Sequence, residues 1–303
     1  MGGRRMSGTA PRPRVVLVDG VPMSGLVALA EDPKAVIVAF HGGASTAAYF
    51  DCPGHPELSL LRTGVEHGYT MVALDRPGYG SSAPYPDVME RPEQRVALAY
   101  GAVEKVLGSN PRGAGLLLLG HSAGCELAVR MAADERAEQA SVIALELAGT
   151  GVEYHPATAN ILKTATATER PKGLRDILWQ PADLYPDDVL SGMTNSTSGA
   201  MYEVDMTKKW PQQDFPALAA RVSVPVQFTV AEHERVWRSD PKTLAEIGAM
   251  FSSAPRFVIN EQVDTGHNLS LSLSAADYHA KVLSFVGDCV AAQQGTSKEL
   301  EAG

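Results

Sequence analysis

Residues 115–133 read GLLLLGHSAGCELAVRMAA, and this stretch decides the fold. Four leucines in a row behind Gly115 have no polar face, which suits a strand buried on both sides. Leu127, Ala128, Val129, Met131 and Ala132 then recur at helical spacing. Between the two patterns lies Gly120-His121-Ser122-Ala123-Gly124, a G-x-S-x-G set in a strand–turn–helix context. A serine in so sharp a turn has little room around it, and this accounts for the glycine two residues away on either side. The turn presents the hydroxyl, and it aims the Ala123 amide and the helix N-terminus at any negative charge that develops on a substrate.

Short β-branched runs alternate with longer amphipathic stretches on both sides of this segment, the pattern of a parallel sheet wrapped by helices, so the chain reads as α/β. Strands are expected over 15–18, 26–29, 35–40, 70–74, 115–119, 142–147, 226–230 and 257–260. Helices are expected over 56–67, 92–107, 123–133, 241–251 and 275–292. The pattern breaks between 150 and 223, where prolines, a Ser/Thr/Gly cluster and Trp179, Tyr185 and Trp210 accumulate. A structureless loop of that length does not fit a compact domain, so the segment is expected to form short helices as a lid between core halves 15–149 and 224–291. Residues 1–14 are expected to be a disordered leader, with four arginines and no apolar run of a signal peptide behind them; 292–303 are expected to be a flexible tail.

Composition narrows the function. The chain has 303 residues, 45% of them hydrophobic and 20% charged, as in a globular enzyme rather than a disordered chain. A formal charge of −9 repels phosphate backbones and anionic lipid, so neither nucleic acid nor a membrane is an expected partner. No apolar run reaches the 18 or so residues that a membrane span requires. Cys52, Cys125 and Cys289 are isolated and odd in number, which points away from a disulfide framework and toward a cytoplasmic home. Neither a metal motif nor a need for a cofactor is evident. The expected partner is a small ester-like molecule, and monomer and homodimer both stay open.

A serine hydroxyl needs a positioned base. His267, in Val263-Asp264-Thr265-Gly266-His267-Asn268, follows the last expected strand and precedes the last helix, at the carboxyl end of the sheet. His55, His67, His155 and His279 read instead as exposed histidines. The imidazole requires a carboxylate to fix its tautomer. Glu234, in the loop after the strand at 226–230, is the first choice; Glu232, Glu146 and Asp264 remain alternatives, and their ordinary readings are a solvated strand end, a buried carboxyl needing a partner, and a turn former. His41-Gly42-Gly43-Ala44-Ser45 directly follows the strand AVIVAF and offers the Gly43 amide as a second oxyanion donor beside Ala123. It lacks the lysine of a phosphate-binding P-loop and the third glycine of a dinucleotide fingerprint.

Taken together, HGG at 41–43, DRPGYGSS at 75–82, GHSAG at 120–124 and GHNL at 266–269 resemble the α/β-hydrolase fold superfamily over about residues 15–290. The resemblance implies a mostly parallel eight-stranded sheet, Ser122 as nucleophile, His267 as base and Gly43 in the oxyanion hole. It also implies that residues 75–80 form a structural turn near the site. That family most often carries aspartate where this chain has Glu234. A serine at 122 argues against its haloalkane dehalogenase and epoxide hydrolase branches, which use an aspartate nucleophile.

Such a constellation suits acyl transfer through an acyl-enzyme, with a carboxylic ester as the first reading. Thioesters, lactones, amides and carbon–carbon bonds yield to the same groups, and an acyltransferase or cyclase would share every motif. A non-catalytic ligand-binding relative is the third reading. Trp179, Tyr185, Met193, Met201, Tyr202 and Trp210 of the lid either line an apolar substrate pocket or anchor the lid to the sheet; Trp179, Tyr185 and Trp210 are the substrate-binding candidates.

Overall fold

The structure, a computed structural model, describes residues 10–162, 173–192 and 199–301. Eight strands, β1 (Arg12–Val18), β2 (Val21–Ala28), β3 (Val36–Phe40), β4 (Thr70–Leu74), β5 (Leu116–His121), β6 (Val142–Ala148), β7 (Val226–Ala231) and β8 (Phe257–Gln262), form one sheet in the order β1-β2-β4-β3-β5-β6-β7-β8. The β1–β2 and β2–β4 pairs are antiparallel and all the others parallel. The helices are α1 (Leu60–Glu66), α2 (Pro92–Leu107), α3 (Gly124–Ala132), α4 (Arg136–Gln139), α5 (Pro156–Leu162), α6 (Leu174–Leu178), α7 (Asp187–Gly192), α8 (Glu203–Lys209), α9 (Phe215–Ala219), α10 (Pro241–Met250) and α11 (Ala275–Glu301).

Leu116, Leu117, Leu118 and Leu119 on β5 are all fully buried because the strand serves two cores. Leu116 and Leu118 face a cluster formed with α2, α3, α9 and α10, while Leu117 and Leu119 face one formed with α1 and α11. Removing a leucine from water contributes roughly 1.5–3 kcal/mol, so this strand is among the better-anchored parts of the sheet. In register, Phe40 of β3 pairs with Gly120, and His121 pairs with Ala148 of β6. The loops leaving β3, β5, β6, β7 and β8 therefore open at one edge, the usual place for a site in an open parallel sheet.

Several boundaries differ from expectation for local reasons. Asp19 and Gly20 take positive φ values of 48° and 83° and make a two-residue hairpin turn, so β2 starts at Val21 rather than Leu26 despite Pro22 and Gly25. The helix expected over 56–67 is divided at Ser59, whose hydroxyl accepts from the Arg62 N–H at 3.1 Å and starts α1 there. β1 begins at Arg12, inside the expected leader, because it pairs with β2 along its whole length. α11 continues to Glu301 through the expected tail, over a stretch rich in helix-forming Ala, Gln, Lys and Glu. Among the described residues no helix is long and apolar enough to cross a membrane.

Among the described residues the chain between β6 and β7 carries the short helices α5 to α9. Trp210 donates from Nε1 to Thr150 Oγ1 at 2.9 Å and stacks on Phe215, and Thr158 Oγ1 donates to the Arg235 carbonyl at 2.7 Å. Met193 lies outside the described residues.

Candidate active site

Ser122 follows β5 with φ +52°, a left-handed conformation that costs a non-glycine residue on the order of 1–3 kcal/mol and has to be held by its surroundings. Its N–H donates to the Ala148 carbonyl at 2.8 Å, and its carbonyl accepts from Cys125 N–H at 2.9 Å. The flanking glycines are required by contact: a Cβ on Gly120 would stand 2.6 Å from Cys125 Cα, and one on Gly124 2.2 Å from the Phe40 carbonyl oxygen.

His267 Nε2 lies 3.0 Å from Ser122 Oγ, and its Nδ1 lies 3.0 and 3.1 Å from the two carboxylate oxygens of Glu234. With Glu234 as acceptor, Nδ1 carries the proton and Nε2 presents its lone pair to the serine hydroxyl. Glu234 Oε1 also accepts the N–H groups of Val236 at 2.7 Å and Trp237 at 3.4 Å. Burial pushes the Glu234 carboxyl up, but His267 and these two N–H groups outweigh it and hold it below the usual carboxylate range. The loops carrying Glu234 and His267 are also joined directly, since His233 N–H donates to the Thr265 carbonyl at 3.1 Å.

The other carboxylates stand elsewhere. Glu232 is exposed and accepts the Asp264 N–H at 2.9 Å, while Asp264 makes a turn with φ +53°. Glu146 is fully buried on β6, where Oε1 accepts Thr229 Oγ1 at 2.5 Å and the Tyr278 hydroxyl at 3.3 Å. Burial pushes its carboxyl up to about 8, so it is mainly neutral at pH 7. Of the four, Glu234 is the one that reaches His267.

Among the described residues no group accepts from the N–H of Gly43 or of Ala123, and the two residues are in contact range: a Cβ on Gly43 would be 3.9 Å from Ala123 Cβ. Two free amides next to a serine that can be deprotonated are suited to receive an oxyanion. His121 backs this arrangement. Its Nε2 donates to the His267 carbonyl at 2.9 Å, its ring stacks 4.3 Å from that of Tyr49, and burial, then the neighbouring His267, lowers it to about 3, so it stays neutral.

The segment Asp75 to Gly80 is the structural turn expected of it: Asp75 accepts from Ser24 Oγ at 2.5 Å and from Ala47 N–H at 2.8 Å. Sequence reasoning missed Arg76 within it and Glu203 of α8, whose side chains pair at 2.5 Å beside Gly42 and Gly43. An arginine inside an otherwise Gly/Pro/Tyr turn was the available signal; nothing in the sequence pointed to Glu203.

The substrate-binding candidates Trp179, Tyr185 and Trp210 pack into the hydrophobic clusters on the two sides of the sheet. Tyr185 and Trp210 are 2% and 3% exposed and act as anchors, Tyr185 accepting the Asn268 N–H at 3.3 Å and packing edge-on against Trp179. Trp179 is half-buried against the same core as Tyr185. Tyr202 donates to the Pro77 carbonyl at 3.0 Å, and Met201 is 77% exposed. The exposed reading of His279 is overturned: it is fully buried on α11 and held neutral, burial lowering it to about 3.

Residues 36–281 match the model of a family described as the alpha/beta hydrolase family. No curated protein matches the chain. Among solved structures it is similar to a membrane phospholipase A described as a bacterial virulence factor, with 16% identity, TM-score 0.68, and 93% of this chain and 87% of that one covered. It is also similar to a lipase in its open form, with 14% identity, TM-score 0.67, and coverage of 93% and 99%. A thioesterase domain from the curacin biosynthetic pathway aligns with 17% identity, TM-score 0.60, and coverage of 91% and 99%.

Proposed function

The chain belongs to the alpha/beta hydrolase family, and from that premise we propose that it is a serine hydrolase cleaving a carboxylic ester through an acyl-enzyme on Ser122. The observation that carries the reading is the continuous relay from Ser122 Oγ through His267 to Glu234, with 3.0 Å at each step. In this reading His267 Nε2 takes the hydroxyl proton as Oγ bonds to the ester carbon. The carbonyl oxygen becomes negative and is met by the N–H groups of Gly43 and Ala123. As the carbon–oxygen bond of the ester breaks, the leaving alkoxide takes the proton from His267. Water then attacks the acyl group, again giving a proton to His267, and Ser122 is regenerated as the acid departs. Glu234 stays ionised throughout and stabilises the imidazolium. Losing one oxyanion donor typically costs about a hundredfold to a thousandfold in rate.

The substrates proposed are small to medium apolar esters, with thioesters and lactones as chemical relatives open to the same attack. Phospholipase, lipase and thioesterase are what the named structural neighbours are, and at 14–17% identity they support the fold beneath this reading rather than a substrate. The insertion between β6 and β7 is proposed to gate access to Ser122.

The test is intact-mass labelling with a fluorophosphonate, run on the wild type and Ser122→Ala beside a short-chain p-nitrophenyl ester assay. A single adduct absent from the variant, together with ester turnover that the variant lacks, is expected. A well-folded wild type that neither labels nor turns over ester would remove the hydrolase reading and leave a ligand-binding one.

A further inference from the structure

The Arg76 guanidinium is fully buried in the turn after β4. Its Nη2 donates to the Gly42 carbonyl at 3.0 Å and to Glu203 Oε1 at 2.5 Å, and its central carbon stands 4.8 Å from the centre of the Tyr79 ring. The Gly42 carbonyl also accepts from His41 Nδ1 at 2.7 Å, and His41 Nε2 in turn accepts the Arg76 N–H at 3.1 Å. This carbonyl and the Gly43 N–H belong to one planar trans peptide and point in opposite directions. Holding the carbonyl from two sides therefore fixes the N–H, which faces away from Arg76 and meets no acceptor among the described residues.

We propose that Arg76 is a positioning residue of the oxyanion hole, aiming and polarising the Gly42–Gly43 peptide toward the developing negative charge, and that Glu203 moderates this by partly cancelling the Arg76 charge. The inference rests on the acyl-transfer reading above. Two features separate it from a plain structural ion pair. The cation sits on the carbonyl end of the very peptide whose N–H end is free, so its field strengthens that N–H as a donor. Glu203 Oε2 lies 3.4 Å from the position a Cβ on Gly43 would take, and a carboxylate that near the Gly43 peptide opposes negative charge growing beside it. The two partners therefore act on the transition state with opposite signs. A pair serving only to fasten α8 to the turn would give losses of the same sign from either side.

The experiment measures fluorophosphonate labelling rates and p-nitrophenyl acetate kcat and KM for the full chain as wild type, Arg76→Lys, Arg76→Met and Glu203→Gln, with circular dichroism to check folding. Arg76→Met is expected to lower kcat and labelling by about 10- to 100-fold with KM changed by less than about threefold, since the interaction strengthens only as charge develops. Arg76→Lys recovers part of that loss, and Glu203→Gln raises kcat by about two- to fivefold even where its melting temperature falls. Should Arg76→Met not fold, Arg76→Lys and Glu203→Gln decide by their opposite signs. Wild-type rates in the Arg76 variants, or a fall in Glu203→Gln parallel to theirs, would overturn the inference. A wild type that does not label at all would overturn the hydrolase reading and this inference with it, whereas a labelled wild type with unresponsive variants would overturn this inference alone.

Discussion

Glu234 and Glu146 stand on or just beyond neighbouring strands, are both buried, and behave in opposite ways. Glu234 meets an imidazole and two backbone N–H groups and is held below the usual carboxylate range. Glu146 meets the hydroxyls of Thr229 and Tyr278 and is pushed up to about 8. Burial is common to both, so the difference lies in the donors. A group that can itself become cationic compensates a buried carboxylate, whereas neutral hydroxyls do so only in part. The same sheet thereby holds one ionised carboxylate suited to catalysis and one carboxylic acid that serves as a neutral core side chain.

The largest test of this contrast is the pair of amide substitutions. Glu234→Gln is expected to lower kcat by about 10³- to 10⁴-fold, because a neutral amide neither fixes the His267 tautomer nor stabilises its cation. Glu146→Gln should leave ester kcat within about threefold of wild type, since its contacts are with Thr229 and Tyr278 and not with His267. An equal fall in both would erase the distinction.

The next test is stability against pH. For Glu146 the folded value of about 8 exceeds the ordinary 4.5, so the folded state holds the proton more tightly and stability falls as pH rises across that window. Urea melts should show Glu146→Gln gaining on wild type between pH 4.5 and 8, by on the order of 4 kcal/mol at the upper end. Glu234 has the reverse sign: its depressed value gives stability that is present above about pH 4.5 and lost as pH falls through the folded value. A pH-independent difference for Glu146→Gln would mean that the carboxyl is ionised in the folded protein.

Smaller effects sharpen the picture. Thr229→Val removes the closest donor to Glu146 and should cost about 1–2 kcal/mol by denaturant melts, while moving the upper end of the pH window to higher pH. Glu232→Gln and Asp264→Asn should each change kcat by less than about threefold and stability by about 0.5 kcal/mol, as expected for exposed loop positions. A large kcat loss in either would reassign the acid.

Much of this was legible in the sequence because single residues carried unambiguous physics. Four leucines ending at a G-x-S-x-G leave few conformations other than a central strand and a tight turn, and Gly120 and Gly124 occupy places that a Cβ would fill. His267 followed from chain order. The choice among four carboxylates stayed open because it depends on where the loop after β7 turns, which the Glu234 N–H bond to the Ala231 carbonyl at 3.1 Å marks and composition does not. The aromatics of the insertion stayed open for another reason: a tryptophan or tyrosine that anchors and one that lines a pocket have the same sequence appearance, and the structure buries Trp210 and Tyr185. Arg76 was hidden because a turn motif accounts for its neighbours without it.

One consequence follows from the hydrogen bond between His121 and the His267 carbonyl. His121, next to Ser122, grips the backbone of His267, so the gap between two groups far apart along the chain is spanned by a rigid five-membered ring, itself clamped against Tyr49. A ring does not stretch when surrounding loops breathe. The spacing of Ser122 and His267 is thus set like a machined spacer between two plates.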